Sequence, residues 1–441
     1  MTVDVIGAGL AGCECALQLA KFGIKVRLIE MKPHKMSAAH SNKNFAELVC
    51  SNSLKSNDIY SASGLLKQEL RSFDSILIGV ADEVAVPAGG ALAVDRTEFS
   101  KRITEKIQNN DNIEVISKTE NKISSNNICV VATGPLTDEA LLDEIKILCG
   151  NEFLYFFDAA SPIVTFDSID KENSFISSRY GKGTDDYINC PLDEKQFELF
   201  WNELINAKVA EIKDFEKKFV FESCIPIEIM ANRGKDTIRF GPMKPVGLTE
   251  PKTLKRPYAV LQLRKENTEG TLYNLVGFQT HLTFSEQKRV FSLIPALKNA
   301  EFVRYGVMHK NTFINAPKLL NESFNLKTNS KIYFAGQISG VEGYVESIMS
   351  GLMVALDIVS KIYKYTPIGF SKKTLMGALS SYISNSSSSD FQPMNANFGI
   401  LEPLDKNEKN KELKKQLLAE RALREAEISA NILKGRKYVR K

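Results

Sequence analysis

Cysteine is sparse, charge of either sign is balanced, and no long apolar run occurs. The 441 residues hold seven cysteines (13, 15, 50, 129, 149, 190 and 224), an odd number without C-x-x-C spacing. Neither a disulfide framework nor a zinc site is therefore expected, and no metal is called for. No stretch of about 18 or more apolar residues exists, which argues against a membrane-spanning helix. The first apolar strand opens at Val3 and leaves no room for a signal peptide, so a cytoplasmic location is expected. A net charge of +4 is mild for this length and does not by itself point to nucleic acid.

The amino end carries a nucleotide-binding pattern. Val3-Asp4-Val5-Ile6 reads as a short strand running into Gly7-Ala8-Gly9-Leu10-Ala11-Gly12, the G-x-G-x-x-G spacing. A helix-like stretch (13–22) follows, then a second strand (25–29) that ends on Glu30. Gly7 permits the tight turn, Gly9 lets backbone approach a pyrophosphate, and Gly12 lets helix and strand pack closely. The helix N-terminus offers N–H groups to the anion, and Glu30 stands where a ribose hydroxyl would lie. The full strand–helix–strand–acid spacing separates this from a chance glycine-rich turn. Gly7, Ala8, Gly9, Leu10, Ala11, Gly12 and Glu30 are thus the expected dinucleotide contacts.

The chain is too long for one compact core and suits two domains, one inserted in the other. A buried-strand pattern at 128–134 closes on Ala132-Thr133-Gly134, and a similar one at 332–336 leads into a helix at 342–362. Such strands suit a parallel sheet with its ligand at the carboxyl ends. Further elements are expected at 64–71 and 97–108 (helices), at 113–116 (a strand), and around a Gly-Gly turn at 84–96. Residues 160–310 differ: they are rich in aromatics and proline turns, with alternating stretches at 237–240 and 258–263 that read as strands. The expected fold class is α/β, a glutathione-reductase-type FAD-binding Rossmann domain with an inserted α+β domain. The divisions fall at 1–160 and 310–404 for the FAD-binding parts and 161–309 for an inserted RNA- and folate-contacting domain. Residues 405–441 read as a charged helix, with Leu413, Leu417, Ile428 and Ile432 on a loose apolar stripe, and a basic tail. The Ser/Asn-rich 380–390 stretch reads as a mobile loop.

The A-T-G strand and the late strand–Gly–helix favour FAD, with Gly134 beside it; NAD alone is the competing reading. Two absences narrow the chemistry. No second G-x-G-x-x-G follows a strand, so NAD(P)H has no Rossmann domain of its own, and no C-x-x-x-x-C follows the second strand, so disulfide reduction is excluded. Cys50 and Cys224 each stand where an apolar run meets polar residues, as a partly exposed thiol would; the plain alternative is a small buried filler. Cys13, Cys15 and Cys129 read as packing. His281 and His309 read as hydrogen-bonded structure or as ligands. Glu47, Glu222, Glu228 and Glu342 are potential bases, although carboxylates in polar segments are usually solvated.

Several longer segments carry a resemblance: GAGLAG (7–12), FAELVCSNSLKS (45–56), VPAGGALAVDR (86–96), ESCIPIE (222–228), RFGPMKPVGL (239–248), EFVRYGVMHKNTFINAPKLL (301–320) and FAGQISGVEGYVES (334–347). The chain resembles the folate- and FAD-dependent tRNA (uracil-5-)-methyltransferase family over essentially its whole length, with the GidA-type flavoproteins of tRNA wobble modification as broader relatives. The resemblance implies C5-methylation of a uridine with a methylene from 5,10-methylenetetrahydrofolate, reduced by way of FAD and NAD(P)H. It implies Cys224 as the nucleophile that adds to C6 of uracil and Cys50 as a second active-site thiol. It implies His309 against the folate pterin, and Gly336 and Gln337 along the flavin ring. His281 departs from the family, which carries Asn there.

RNA is the implied partner: the T-loop uridine of tRNA, or alternatively a uridine of large-subunit rRNA. Arg233, Lys235, Arg239, Lys244, Lys252, Lys255, Arg256, Arg264 and Lys265 interleave with Phe240, Pro242 and Tyr258, a surface for phosphate contact and base stacking or simply a solvated face. The competing functions are a small-molecule flavin oxidoreductase, a non-catalytic RNA-binding flavoprotein and a GidA-like wobble-modification protein.

Overall fold

The computed structural model describes residues 2–37, 39–124, 126–150, 153–159, 161–181, 186–210, 225–267, 269–306, 308–386, 391–406 and 408–438, with backbone alone at 153–159, 308–310 and 437–438. Five parallel strands form the first sheet, in the order Ile332–Phe334, Ile128–Val131, Thr2–Ile6, Lys25–Glu30 and Ile113–Ser117. Ile128–Val131 is buried along its whole length, as its uninterrupted apolar run requires. The chain leaves Thr2–Ile6 towards Lys25–Glu30 and returns on its other side as Ile128–Val131. That reversal opens a crevice at the carboxyl end of the first strand. The helices Leu10–Lys21 and Tyr344–Tyr363 touch at Gly351, where a Cβ would stand 2.2 Å from the Ala11 carbonyl oxygen.

A six-stranded antiparallel sheet forms a second body, ordered Phe175–Ile176, Tyr187–Leu192, Ala259–Lys265, Leu272–Leu275, Ile163–Thr165 and Phe302–Arg304. Its core is aromatic, built on Phe197, Phe200, Phe278 and Phe291. Between the two bodies, Phe153–Ala159 pairs antiparallel with Met308–Ile314 over seven residues, a ladder that sequence pattern did not reveal. The helices expected at 64–71 and 97–108 are Ala62–Ser72 and Arg96–Gln108. The Gly-Gly turn joins the short antiparallel strands Ala85–Val86 and Ala91–Val94.

Two expectations fail for physical reasons. The 237–240 stretch belongs to the helix Lys235–Phe240, not to a strand; only Ile238 in it is buried, and one inward residue in four fits one helical turn as well as it fits alternation. The stretch from Ser380 to Asn385 is not a loop but the end of the helix Leu375–Asn385. Its serines satisfy themselves on backbone carbonyls: Ser384 Oγ donates to the Ser380 carbonyl at 2.9 Å, and Ser380 Oγ to the Glu322 carbonyl at 2.9 Å. Residues 387–390 of that stretch lie outside the described residues.

Buried carboxylates tie the helices together. Glu14 accepts from the Ile76 and Leu77 N–H groups, and Glu69 from those of Leu375 (2.8 Å) and Met376 (2.9 Å), each satisfying the open first turn of another helix. Complete burial outweighs those bonds for Glu69 and raises its carboxyl from 4.5 to about 8. The unfolded chain releases this proton near 4.5, while the folded chain holds it to about 8. Stability contributed here therefore falls as pH rises between those two values. Glu69→Gln is expected to flatten that part of the stability–pH curve, removing a slope worth roughly 2–4 kcal/mol across the window. Urea melts of both proteins at pH 5 and pH 8 measure it; parallel curves contradict it.

Candidate active site and cofactor cleft

The carboxyl end of the first strand opens into a cleft of about 850 Å³. Gly7, Ala8, Gly9, Leu10, Ala11, Glu30, Gly134, Gly336 and Gln337 all line it. Gly12 does not; it packs beneath the turn, where a Cβ would lie 1.9 Å from the Gly7 carbonyl oxygen. Gly7 has φ +101°, and a Cβ on it would meet the Ala132 carbonyl at 2.6 Å. Around Gly9, by contrast, a Cβ would find nothing within 4 Å, so this glycine leaves room on the cleft side. No side chain caps the helix Leu10–Lys21, and its N-terminus opens on the cleft. Glu30 is 7% exposed and accepts from the Ala8 N–H at 2.7 Å and the Lys32 N–H at 3.0 Å. Each of its oxygens keeps acceptor capacity for a hydroxyl group.

These features fit a dinucleotide. The turn supplies N–H donors for a pyrophosphate, and Glu30 an acceptor for a ribose. Gly336, Gln337, Tyr344 and Ser347 bring the late strand–Gly–helix segment to the same cleft. Lys32, His40 and Glu47 also line the cleft; no motif in the sequence points to Lys32 or His40. His40 Nδ1 lies 2.6 Å from Ser37 Oγ; burial and the neighbouring Lys32 hold its imidazole below the usual range, so it is neutral.

Cys50 sits at the edge of this cleft, next to the lining residue Val49, and is partly exposed. Cys13, Cys15, Cys129, Cys149 and Cys190 are buried, and burial pushes their thiols up, those of Cys129 and Cys149 to about 12. Cys50 is thus the accessible thiol among the described cysteines. Its loop is clamped from three directions. The Tyr344 hydroxyl accepts the N–H groups of Cys50 (2.7 Å) and Ser51 (3.1 Å), and burial keeps that phenol protonated. Arg304 donates to the Val49 carbonyl. From the antiparallel body, Arg264 donates to Ser51 Oγ (2.6 Å) and Asn52 Oδ1 (3.1 Å). Asn52, fully buried, returns donors to the Val94 and Lys265 carbonyls. Asn52→Ala should cost about 1–3 kcal/mol and leave Arg264 short of an acceptor. Alkylation of Cys50 by iodoacetamide should then accelerate several-fold; an unchanged rate would mean that the clamp does not hold the loop.

Other expected residues fare differently. Cys224 and Glu222 lie outside the described residues. His309 is placed through its backbone, opposite Asp158 in the Phe153–Ala159 and Met308–Ile314 ladder. Glu47, Glu228 and Glu342 are not solvated carboxylates; each is under a tenth exposed. Glu47 accepts from the Ser41 and Asn42 N–H groups, and Glu342 from Gln337 Nε2. Glu228 accepts from Thr280 Oγ1 at 2.8 Å and the His281 N–H at 2.9 Å, with His281 Nδ1 at 2.8 Å. Burial, not composition, decided these roles: each carboxylate lies where loop amides need an acceptor. Of the nine cations expected to face RNA, Arg264 is excluded, since it is buried on the Cys50 loop. Lys235 and Lys252 are engaged with Glu198 (3.0 Å) and Glu172 (2.9 Å). Tyr344, Arg304 and Asn52 were missed; the signal for Tyr344 was its place directly after the late glycines, at the first turn of a helix.

A family model described as glucose inhibited division protein A matches residues 2–365. The chain is 57% identical over 422 residues to the methylenetetrahydrofolate--tRNA-(uracil-5-)-methyltransferase TrmFO of Acetivibrio thermocellus, covering 96% of this chain and 97% of that protein. With the protein of that name from Natranaerobius thermophilus it shares 55% over 424 residues, covering 96% and 98%. Among solved structures, Aquifex aeolicus GidA aligns with a TM-score of 0.67 at 15% identity, over 97% of this chain and 73% of that one; the likeness is one of fold.

Proposed function

Since this chain belongs to the TrmFO family, within the wider glucose inhibited division protein A group, we propose that it is a methylenetetrahydrofolate-dependent RNA (uracil-5-)-methyltransferase whose substrate is the T-loop uridine of tRNA. The observation that carries the reading is the joining of a dinucleotide cleft to a clamped, accessible cysteine loop through one residue, Tyr344. Gly7 to Ala11, Glu30, Gly134, Gly336 and Gln337 would hold FAD, which when bound supplies the electrons, drawn from NAD(P)H, that turn a transferred methylene into a methyl group.

The chain's own residues handle the pyrimidine. C5 of uracil is a poor nucleophile. Addition of the Cys224 thiolate to C6 makes C5 enolate-like, and C5 then attacks the one-carbon unit donated by methylenetetrahydrofolate. A base removes the C5 proton as the bond from the one-carbon unit to its donor breaks, and once two-electron reduction has made that unit a methyl group the C6–S bond breaks to return the thiolate. On this reading Cys50, whose loop is held by Arg304 and Arg264, takes part in that proton transfer. The uridine must leave its stack to reach the cleft. Arg239 supports an RNA face here: its guanidinium lies over the rings of Phe240 (4.7 Å) and Tyr258 (4.0 Å), and Phe240 is 55% exposed.

Incubation with T-loop RNA, methylenetetrahydrofolate, NADPH and FAD should yield 5-methyluridine; no product on tRNA would overturn the tRNA assignment, and none on rRNA either would overturn the methyltransferase. Phe240→Ala should raise the RNA KM about 10-fold. NADPH oxidation without RNA should not change. Equal RNA KM values for the two proteins would remove Phe240 from the RNA face.

A further inference from the structure

Four aromatic rings run from the core of the antiparallel body to its surface. Phe291 is fully buried. Phe302 lies 6.4 Å from it, centroid to centroid, and is tilted by 38°. From there outward the rings are nearly parallel. Tyr305 stacks 5.4 Å from Phe302 at 11°, and Phe284 stacks 4.9 Å from Tyr305 at 16°. Phe284 is 54% exposed, and among the described residues no further ring covers it. The stack therefore ends on an open aromatic face.

A lone exposed ring is ordinary. This one is held on a rigid base. Gln287, fully buried on the helix Phe284–Phe291, grips Gly306 with both ends of its amide. Its Nε2 donates to the Gly306 carbonyl at 2.8 Å, and its Oε1 accepts the Gly306 N–H at 2.7 Å. Nε2 also donates to the Leu282 carbonyl at 2.7 Å. The helix and the 302–306 segment are thereby one unit. Arg304, which stands between Phe302 and Tyr305 in the chain, donates to the Val49 carbonyl in the loop that carries Cys50. One residue thus ties the aromatic stack to the thiol loop at the edge of the cleft.

An open ring at the end of a fixed stack suits a planar ligand, since stacking needs only a π-face. Charge narrows the kind. Glu286, the carboxylate of this turn, is neutralised by Arg289 at 2.8 Å. Lys288 stands four residues on from Phe284, hence on the same helix face, and is exposed with no acidic partner among the described residues. A ring with a cation one turn away matches a nucleotide, base on the ring and phosphate on the ammonium. A folate ring is a poorer occupant: it must reach the cleft, and neither Phe284 nor Tyr305 lines the cleft. We propose that Phe284 is the stacking platform for a base of the bound RNA that adjoins the displaced uridine. Removing a uridine from its stack strips the neighbouring base of a partner, and a fixed ring beside the thiol loop supplies another. This inference rests on the RNA-methyltransferase reading above.

The test is filter retention of T-loop RNA by the full-length, FAD-loaded protein, with a panel of RNAs in which single T-loop bases are replaced by abasic sites. Phe284→Ala should weaken binding of the intact RNA about 10-fold, and Phe284→Tyr should bind as the parent does. Flavin absorbance and thermal midpoint should match the parent in both variants, because Phe284 stands half in water. At one position beside the target uridine, the abasic RNA should bind the parent and Phe284→Ala equally, since the stacked pair is then already broken from the RNA side. Equal affinity of the parent and Phe284→Ala for intact RNA overturns the platform and leaves the methyltransferase standing; a parent that neither binds nor methylates RNA overturns both. A penalty that persists at every abasic position puts no base on the ring and overturns the proposal. So does a raised KM for methylenetetrahydrofolate with RNA affinity unchanged, which assigns the ring to folate.

Discussion

Cys224→Ala is expected to give a yellow protein that still binds RNA and makes no measurable 5-methyluridine, a fall on the order of 10⁴-fold or more in kcat. The size follows from the chemistry. Without sulfur at C6 the pyrimidine stays aromatic-like, C5 carries no carbanion character, and no arrangement of the remaining groups replaces that addition. The flavin is expected to stay bound, because the described residues that line the cleft are 7–11, 30–32, 40, 47, 49, 132–136, 336, 337, 344 and 347. The chain immediately after Cys224 is held independently: the Ile227 N–H donates to the Gln279 carbonyl at 2.8 Å, and Glu228 binds Thr280 and His281. Flavin absorbance, RNA binding by filter retention and nucleoside analysis of the product RNA separate the outcomes. Full methylation by the variant would end the assignment of Cys224. Flavin turnover indifferent to both RNA and Cys224 would favour a small-molecule oxidoreductase.

The second large effect is a contrast between two glycines of the same motif. Gly9→Val should fold with a melting temperature close to that of the flavin-free parent and lose FAD affinity by roughly 100-fold or more, because the added carbons enter open space that the ligand needs. Gly12→Val should fail at an earlier stage. Its Cβ would sit 1.9 Å from the Gly7 carbonyl oxygen and 3.3 Å from the Ala132 Cβ, both fixed by the sheet. Backbone must move, and the expected cost exceeds about 4 kcal/mol. Fluorescence titration with FAD, and thermal melts in its absence, distinguish binding loss from folding loss. A Gly9→Val protein that keeps its flavin would refute the cleft as the cofactor site; a stable Gly12→Val protein would refute the packing argument.

Much of the nucleotide cleft was legible in the residue order. The turn, helix and acid lie within 30 consecutive residues, and each glycine answers to a local steric demand. The A-T-G strand and the late strand–Gly–helix were legible for a similar reason: buried parallel strands are apolar without interruption. Where alternation was short, as at 237–240, one turn of helix satisfied it equally well, and the burial of Ile238 decided between them. Serine-rich composition misled at Ser380–Asn385, because hydroxyls that bond to carbonyls behind them are at home in a buried helix.

By itself the amino-acid order determined the dinucleotide turn, the parallel-sheet core and the family, since these rest on contacts between near neighbours or on contiguous motifs. Which cysteine is accessible, and what surrounds it, only the tertiary structure decided. Tyr344 reaches Cys50 across 294 positions, Arg264 reaches Ser51 across 213, and Arg304 reaches Val49 across 255. Periodicity carries information over a few residues along one element. Contacts of that span arise only when two separately packed bodies close on the loop between them.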